Sequence, residues 1–104
     1  MIVTTTFSVP GREVAVILGV ARGNAVRARH IGSDIVASLK NLVGGEIQEY
    51  TKLMAESREQ ALDRMIAHAE SLGADAVVGM RLGTSMIMTH AAEIVAYGTA
   101  VKLR

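Results

Sequence analysis

The chain has 104 residues, which fits one domain covering residues 1–104, and its formal net charge of +1 gives no field strong enough to attract nucleic acid. Its lack of cysteine excludes disulfides, thiolate metal sites and cysteine nucleophiles, and it is compatible with a reducing, cytoplasmic compartment. No apolar run approaches the roughly 18 residues that would span a membrane, and the N-terminus lacks the basic start and apolar run of a secretory signal.

The N-terminal part of the chain predicts two strands. Residues 2–5 are a short β-branched run, Pro10-Gly11 is typical of a turn, and residues 13–21 form a stronger strand. Both faces of this second strand are apolar, which predicts that it is covered on both sides. Gly23-Asn24 interrupts the pattern, and residues 24–31 fit either a loop or a helix.

Two helices are predicted in the middle of the chain. The first covers residues 33–42, with a polar N-cap and an apolar stripe, and Gly44-Gly45 ends it. The second begins between residues 46 and 51 and ends at Leu72, with apolar residues at helical spacing on one side. His68 lies on this helix without a carboxylate three or four residues away, so it is predicted to be partly exposed and to have no partner.

The C-terminal part of the chain predicts two further strands, residues 76–82 and residues 93–103. The first alternates only weakly, with Ala76, Val78 and Met80 expected on one face. The second alternates clearly, and the small residues on one of its faces permit close approach of another layer. Its bulky row is Val95, Tyr97, Val101 and Leu103, and the opposing row is Ile94, Ala96, Gly98 and Ala100.

The element order β-β-α-α-β-β predicts an α+β fold of two layers, in which two helices cover one face of an antiparallel sheet. The other face would then be apolar and bare, which is unusual on a monomer. Removing that face from water is worth roughly 25 cal/mol per Å². We therefore expect the chain to associate with copies of itself, and a head-to-tail contact normally closes into a ring. A monomer with a curled sheet is the alternative.

Three separate parts of the sequence resemble one known family. They are residues 18–24 (LGVARGN), residues 39–46 (LKNLVGGE), and residues 72–79 (LGADAVVG) taken with residues 91–101 (AAEIVAYGTAV). In this order they are similar to the YbjQ-like family of small bacterial and archaeal proteins, and the resemblance covers essentially the whole chain. It implies a homopentameric α/β ring with dodecin-like subunits and a label of heavy-metal binding. It implies no established catalytic or binding residue.

Met86, Met88 and His90 are the best candidates for metal ligands. In an extended segment their side chains project from one face, and two thioethers with an imidazole suit a soft ion such as Cu(I). They lie between the two predicted C-terminal strands, where exposure is expected. Methionine also fills gaps in packed contacts, so a contact between copies of the chain at a hairpin tip is the other interpretation.

Arg27, Arg29 and His30 are candidates for an anion site, because they precede the predicted helix that begins at Ser33-Asp34. Basic residues in such a position are also common on a solvated surface. No phosphate loop, nucleophile elbow or carboxylate pair appears, so no catalytic residue is predicted. The sequence therefore predicts a non-enzymatic, homo-oligomeric binding module for a metal or small ligand, with a purely structural or interaction ring as the alternative.

Overall fold

The α+β class is confirmed by a computed structural model, which describes residues 1–28, 48–88 and 91–104. The predicted helix over residues 33–42 lies outside the described residues. The described strands form one sheet in the order β1-β3-β4-β2. The elements are β1 (Ile2–Val3), β2 (Val14–Ala28), α1 (Gln48–Ser71), β3 (Ala76–Met88) and β4 (Ala91–Leu103). No helix in this part of the chain is long and apolar enough to cross a membrane.

The sheet is mixed, and the expectation of a purely antiparallel sheet is wrong at one edge. β2 and β3 both pair antiparallel with β4, whereas β1 runs parallel to β3. The N–H of Ile2 donates to the carbonyl of Asp75, and the N–H of Thr4 donates to the carbonyl of Val77. A strand of two residues has no side-chain pattern that fixes its direction, so the sequence could not predict this pairing.

β2 continues through Gly23-Asn24 to Ala28, where the sequence favours a loop or a helix. The glycine is a packing residue, because a Cβ at position 23 would overlap the backbone of Ala61 and Met65 on α1. Glycine in a strand often marks such a close approach of another backbone. The helix therefore rests directly on the strand at this point.

Helix α1 packs on β2 and β4 through small side chains. The sheet face beneath it is made of the small row predicted for β4 and of alanines on β2, so that prediction of faces is confirmed. On the helix the contact recurs every four residues, which is the spacing of one helical face. The buried set is Ala61, Met65 and Ala69 from α1, with Ala21, Ala25, Ile94, Ala96 and Ala100 from the sheet.

β3 contains a bulge at Gly79-Met80. These two residues together oppose Gly98 on β4, and Gly79 has a φ of 63°, in the left-handed region that favours glycine. The extra residue reverses the side-chain alternation. Met80 packs against the core beneath the helix, whereas Val78 belongs to a cluster on the opposite face. The prediction that Val78 and Met80 share a face is therefore wrong.

The sheet face opposite α1 keeps large apolar side chains exposed. Val20, Val26 and Tyr97 lie on this face, since their neighbours along each strand pack beneath the helix. Their exposed fractions are 63%, 53% and 43%. The strands β3 and β4 are also longer than predicted and reach Met88 and Ala91. The candidate site residues that the structure describes lie on or beside these strands.

Candidate functional site

Two side chains of α1 reach over the outer edge of β2. Nδ1 of His68 accepts a hydrogen bond of 3.1 Å from the N–H of Arg22, and the guanidinium of Arg64 donates one of 2.7 Å to the carbonyl of Asn24. Four helical residues span about 6 Å and two strand residues span about 6.7 Å, so the two spacings match. We call Arg22, Asn24, Arg64 and His68 the edge clamp.

His68 is therefore engaged, and the expectation that it has no partner is wrong. Sequence spacing on the helix identifies only carboxylate partners on the same helix, whereas the partner is a backbone N–H on a distant strand. Because Nδ1 accepts this bond, the proton of the neutral ring is inferred to lie on Nε2. A protonated Nε2 has no lone pair for a metal ion. To bind a metal ion, the His68 ring would have to release the N–H of Arg22 or lose its Nε2 proton.

A cavity of about 560 Å³ opens beside the edge clamp. The side-chain amide of Asn24 donates a 3.1 Å hydrogen bond to the carboxylate of Glu93, which joins β2 to β4 across the cavity floor. The volume is within the roughly 300–1,000 Å³ typical of small-molecule sites. The lining combines donors and an acceptor, so it suits a small polar molecule better than an apolar one. The lining residues are Arg22, Gly23, Asn24, His68, Glu93 and Val95.

Met86 and Met88, two of the predicted metal ligands, lie within β3, while His90 lies outside the described residues. Met86 pairs with Ala92 and Met88 pairs with Ala91, so the register shifts by one residue between them. This irregularity interrupts the simple alternation on which a shared face of the two methionines depends. The Met86 side chain is 74% exposed. The three-residue metal site stays a prediction.

Nitrogen and oxygen ligands for a metal do not come together in the part of the chain that the structure describes. Within residues 1–28, 48–88 and 91–104, no three His, Asp or Glu side chains are grouped closely enough to hold an ion. His68 is bonded through Nδ1, and the whole chain lacks cysteine. These residues therefore do not fit a site for a borderline ion such as Zn²⁺. The thioethers of β3 are ligands of another kind, and they prefer soft ions.

Arg27, the described member of the predicted anion site, lies near the end of β2. Its guanidinium donates a 2.9 Å hydrogen bond to the side-chain carbonyl of Gln60 on α1. Arg29 and His30 lie outside the described residues. The anion site stays a prediction, and Arg27 would have to share its donors between Gln60 and the anion.

Comparison with known proteins relates the whole chain to one family. The family model YbjQ_1, described as "Putative heavy-metal-binding", matches residues 1–104. UPF0145 proteins of Archaeoglobus fulgidus and Fervidobacterium nodosum are 62% and 59% identical over 104 residues, covering 100% of this chain and 96% of each relative. A UPF0145 protein of Colwellia psychrerythraea is 54% identical over 104 residues, covering 100% of this chain and 99% of its own.

A solved structure also shares the fold. The crystal structure of a protein of unknown function from the DUF74 family of Pediococcus pentosaceus matches with a TM-score of 0.68, covering 100% of this chain and 98% of that one. At 16% sequence identity this similarity concerns the fold alone. Since the family model matches residues 1–104 and three relatives exceed half identity over the same length, the chain belongs to the YbjQ family of UPF0145 proteins.

Proposed function

We propose that this protein is a homo-oligomeric binding module that assembles as a pentameric ring and holds a soft metal ion or a small ligand. The observation that carries the proposal is the surface area of one chain, which is 6642 Å². A folded monomer of 11.0 kDa is expected to expose only about 5,600 Å². The surplus of about 1,000 Å² is close to the roughly 800 Å² that each partner buries in a standard protein interface.

The shape and the chemistry of the surface support the same proposal. The radius of gyration is 17.2 Å, whereas a compact domain of this length has about 13 Å. Strands of the described residues carry large apolar side chains that are at least about two-fifths exposed. Burying them between copies would be worth roughly 25 cal/mol per Å² of apolar surface. They are Val14, Val16, Ile17, Val20, Val26, Leu82, Met86, Ile87 and Tyr97.

The test of assembly is the molar mass of the untagged protein at micromolar concentration, measured by light scattering and native mass spectrometry. We expect about 55 kDa, which corresponds to five chains. The number five follows from the resemblance to the YbjQ-like family, and the need for association follows from the surface. A mass of 11.0 kDa at all concentrations would contradict the proposal.

The proposed metal ligands are Met86, Met88 and His90, which suit Cu(I). The family description and the exposed thioether of Met86 support this choice. These residues would hold a copper ion at the end of β3 through two thioethers and one imidazole.

Titration with Cu(I) tests this site. Replacing Met86 and Met88 by leucine preserves side-chain volume but removes both thioethers, so we expect copper affinity to fall at least ~10-fold. Met54→Leu on α1 is the matched control and should bind copper like the parent protein. Equal affinity in all variants, or no binding to the parent protein, would remove this site.

Arg27, Arg29 and His30 are proposed to hold a small anion in the same module. The guanidinium of Arg27 already presents its donors to an oxygen acceptor, the side-chain carbonyl of Gln60. Inorganic phosphate is a suitable probe, and titration of the parent protein and of Arg27→Gln should give weaker binding to the variant. Identical phosphate binding in both would exclude Arg27.

A ring without metal or catalytic role is the second candidate function. It is favoured by the hydrogen bond that occupies Nδ1 of His68, because this bond already gives the one described histidine a structural partner. In this case the ring would present its apolar strands to copies of itself and its outer surface to a further protein. A co-purified protein partner, together with metal-free protein by elemental analysis, would favour this candidate over the first.

A further inference from the structure

We propose that the outer edge of β3 between Leu82 and Met86 forms main-chain hydrogen bonds with a strand of a second copy of this chain. The sheet would thereby continue across the subunit boundary. This inference rests on the proposed homo-oligomer and names the part of the subunit that makes the contact. It follows from the direction of the backbone groups along β3.

The edge clamp shows which way the backbone groups of Arg22 point. The N–H of Arg22 donates to His68 and not to Tyr97, its partner on β4, so this pair is one of the non-bonded pairs of the ladder. Bonded and non-bonded pairs alternate in an antiparallel ladder, and Tyr97 therefore turns its backbone groups toward β3. There it pairs with Arg81. The next residue, Leu82, must turn its N–H and C=O away from β4.

An independent observation gives the same direction. The N–H of Met80 donates a 3.0 Å hydrogen bond to the carbonyl of Thr4, which lies on the outer side of β3. Residues two apart in a strand direct their backbone groups to the same side. The backbone groups of Leu82, Thr84 and Met86 therefore point outward as well.

The N-terminal segment forms hydrogen bonds with the backbone groups on the outer edge of β3 only as far as Met80. Its hydrogen bonds reach the carbonyls of Asp75 and Val77 and the N–H groups of Gly79 and Met80. In residues 1–28, 48–88 and 91–104, no strand pairs with the outer side of β3 beyond that point. Leu82, Thr84 and Met86 thus present an open ladder.

This open ladder lacks the features that keep strand edges apart. Residues 82–88, LGTSMIM, contain no charged residue and no proline. Natural proteins usually protect an exposed edge with lysine, proline or a covering segment. The side chains of Leu82, Met86 and Ile87 are 42%, 74% and 51% exposed, so pairing would bury apolar surface together with the backbone. An uncharged, apolar edge is complementary to another uncharged strand.

The second copy fits this edge better than an unrelated partner does. The exposed surface of one chain exceeds that expected of a monomer of its mass by about 1,000 Å², which is similar to the roughly 800 Å² that one contact buries on each partner. Residues 22–24 of the neighbour's β2 do not offer a fully open ladder, because the edge clamp already bonds the N–H of Arg22 and the carbonyl of Asn24. The contact is therefore made by a part of the neighbour outside its clamped edge.

The decisive variant is Thr84→Pro, compared with Thr84→Val. Proline removes an outward N–H and leaves the hydrogen bonds between β3 and β4 in place, so the subunit should keep its circular dichroism spectrum. Valine keeps the N–H and the β-branched shape. We expect Thr84→Pro to lower the molar mass toward a single chain at concentrations where the parent protein and Thr84→Val remain assembled.

Amide hydrogen exchange of the parent protein gives a second readout that needs no variant. If the ladder is paired, the amides of Leu82, Thr84 and Met86 exchange at least ~100-fold more slowly in the assembly than unprotected amides do. An assembled parent protein with fast exchange at these amides would overturn the inference and leave the proposed function intact. The same holds if folded Thr84→Pro stays assembled. A monomeric parent protein would instead overturn the proposed function and, with it, this inference.

Discussion

At the edge of β2, side chains of α1 bond the outward N–H of Arg22 and the carbonyl of Asn24, whereas at the edge of β3 the N-terminal segment stops at Met80. The first edge has two of its outward backbone groups bonded within the chain, whereas in the described residues the second has none bonded along Leu82, Thr84 and Met86. The difference matters because an open edge is the commonest place for unwanted strand pairing. This difference would direct the proposed association to the edge of β3.

The largest expected effect concerns the contact that brings the helix onto β2. In Gly23→Ala the new Cβ would overlap the backbone of Ala61 and Met65, which cannot move aside as a side chain can. We expect a loss of about 3 kcal/mol in the free energy of unfolding. Gly83→Ala on β3 is the matched control, since its Cβ would lie 3.4 Å from a methyl group of Val95. Urea denaturation of both variants measures the difference, and equal losses would show that position 23 is not special.

The next effect tests whether the clamp closes its edge. In the double variant Arg64→Ala/His68→Ala, the N–H of Arg22 and the carbonyl of Asn24 lose their partners. We expect a loss of about 1–2 kcal/mol in stability and a rise in molar mass, because the edge of β2 becomes available for pairing. Denaturation and light scattering measure the two quantities. An unchanged molar mass would mean that the clamp stabilises the subunit without protecting the edge.

A charge on the open edge should weaken assembly and leave the subunit folded. Leu82→Lys places an ammonium group on the apolar edge of β3, where the side chain is 42% exposed. We expect the dissociation constant of the assembly to rise at least ~10-fold, or about 1.4 kcal/mol. Ala67→Lys, on the exposed side of α1, is the control with the same added charge. Sedimentation at several concentrations compares the two, and equal behaviour would argue against the edge.

The smallest effect belongs to the covered part of the β3 edge. The guanidinium of Arg81 lies 5.6 Å from the centre of the Phe7 ring. Because Phe7 is 76% exposed, we expect Phe7→Leu to cost only about 0.5 kcal/mol. A double-mutant cycle with Arg81→Gln isolates this pair. A coupling free energy indistinguishable from zero would show that the Phe7–Arg81 contact does not help to hold the N-terminal segment.

The sequence predicted correctly those helices and strands in which apolar residues recur at one constant spacing. The second predicted helix agrees with α1, because its apolar stripe keeps helical spacing: the observed start at Gln48 lies within the predicted range of residues 46–51, and the observed end at Ser71 is one residue before the predicted end. The two faces of β4 were also predictable, since Ile94 and Ala96 alternate regularly with Val95 and Tyr97. Long, strictly periodic segments depend little on the rest of the fold.

The remaining features depend on contacts between distant parts of the chain. A glycine looks the same in the sequence whether it interrupts a strand or allows a helix backbone to come close. At Gly23 only the packing of α1 distinguishes these two roles. The bulge at Gly79-Met80 reverses the alternation of side chains between the two faces of β3. A prediction based on a constant period of two residues misses such a reversal. The partner of His68 is a backbone N–H, and every residue except proline has one. For this reason the edge clamp could not be predicted from the sequence.

The edge clamp has a consequence for how the two layers are aligned. A slide of α1 along β2 by one strand residue, about 3.3 Å, would break the bonds of His68 and Arg64 together. A slide by two strand residues would carry the helix backbone from Gly23 onto Ala21 or Ala25, which have a Cβ on the face beneath the helix. The edge clamp and Gly23 therefore both fix the same position of α1 along β2.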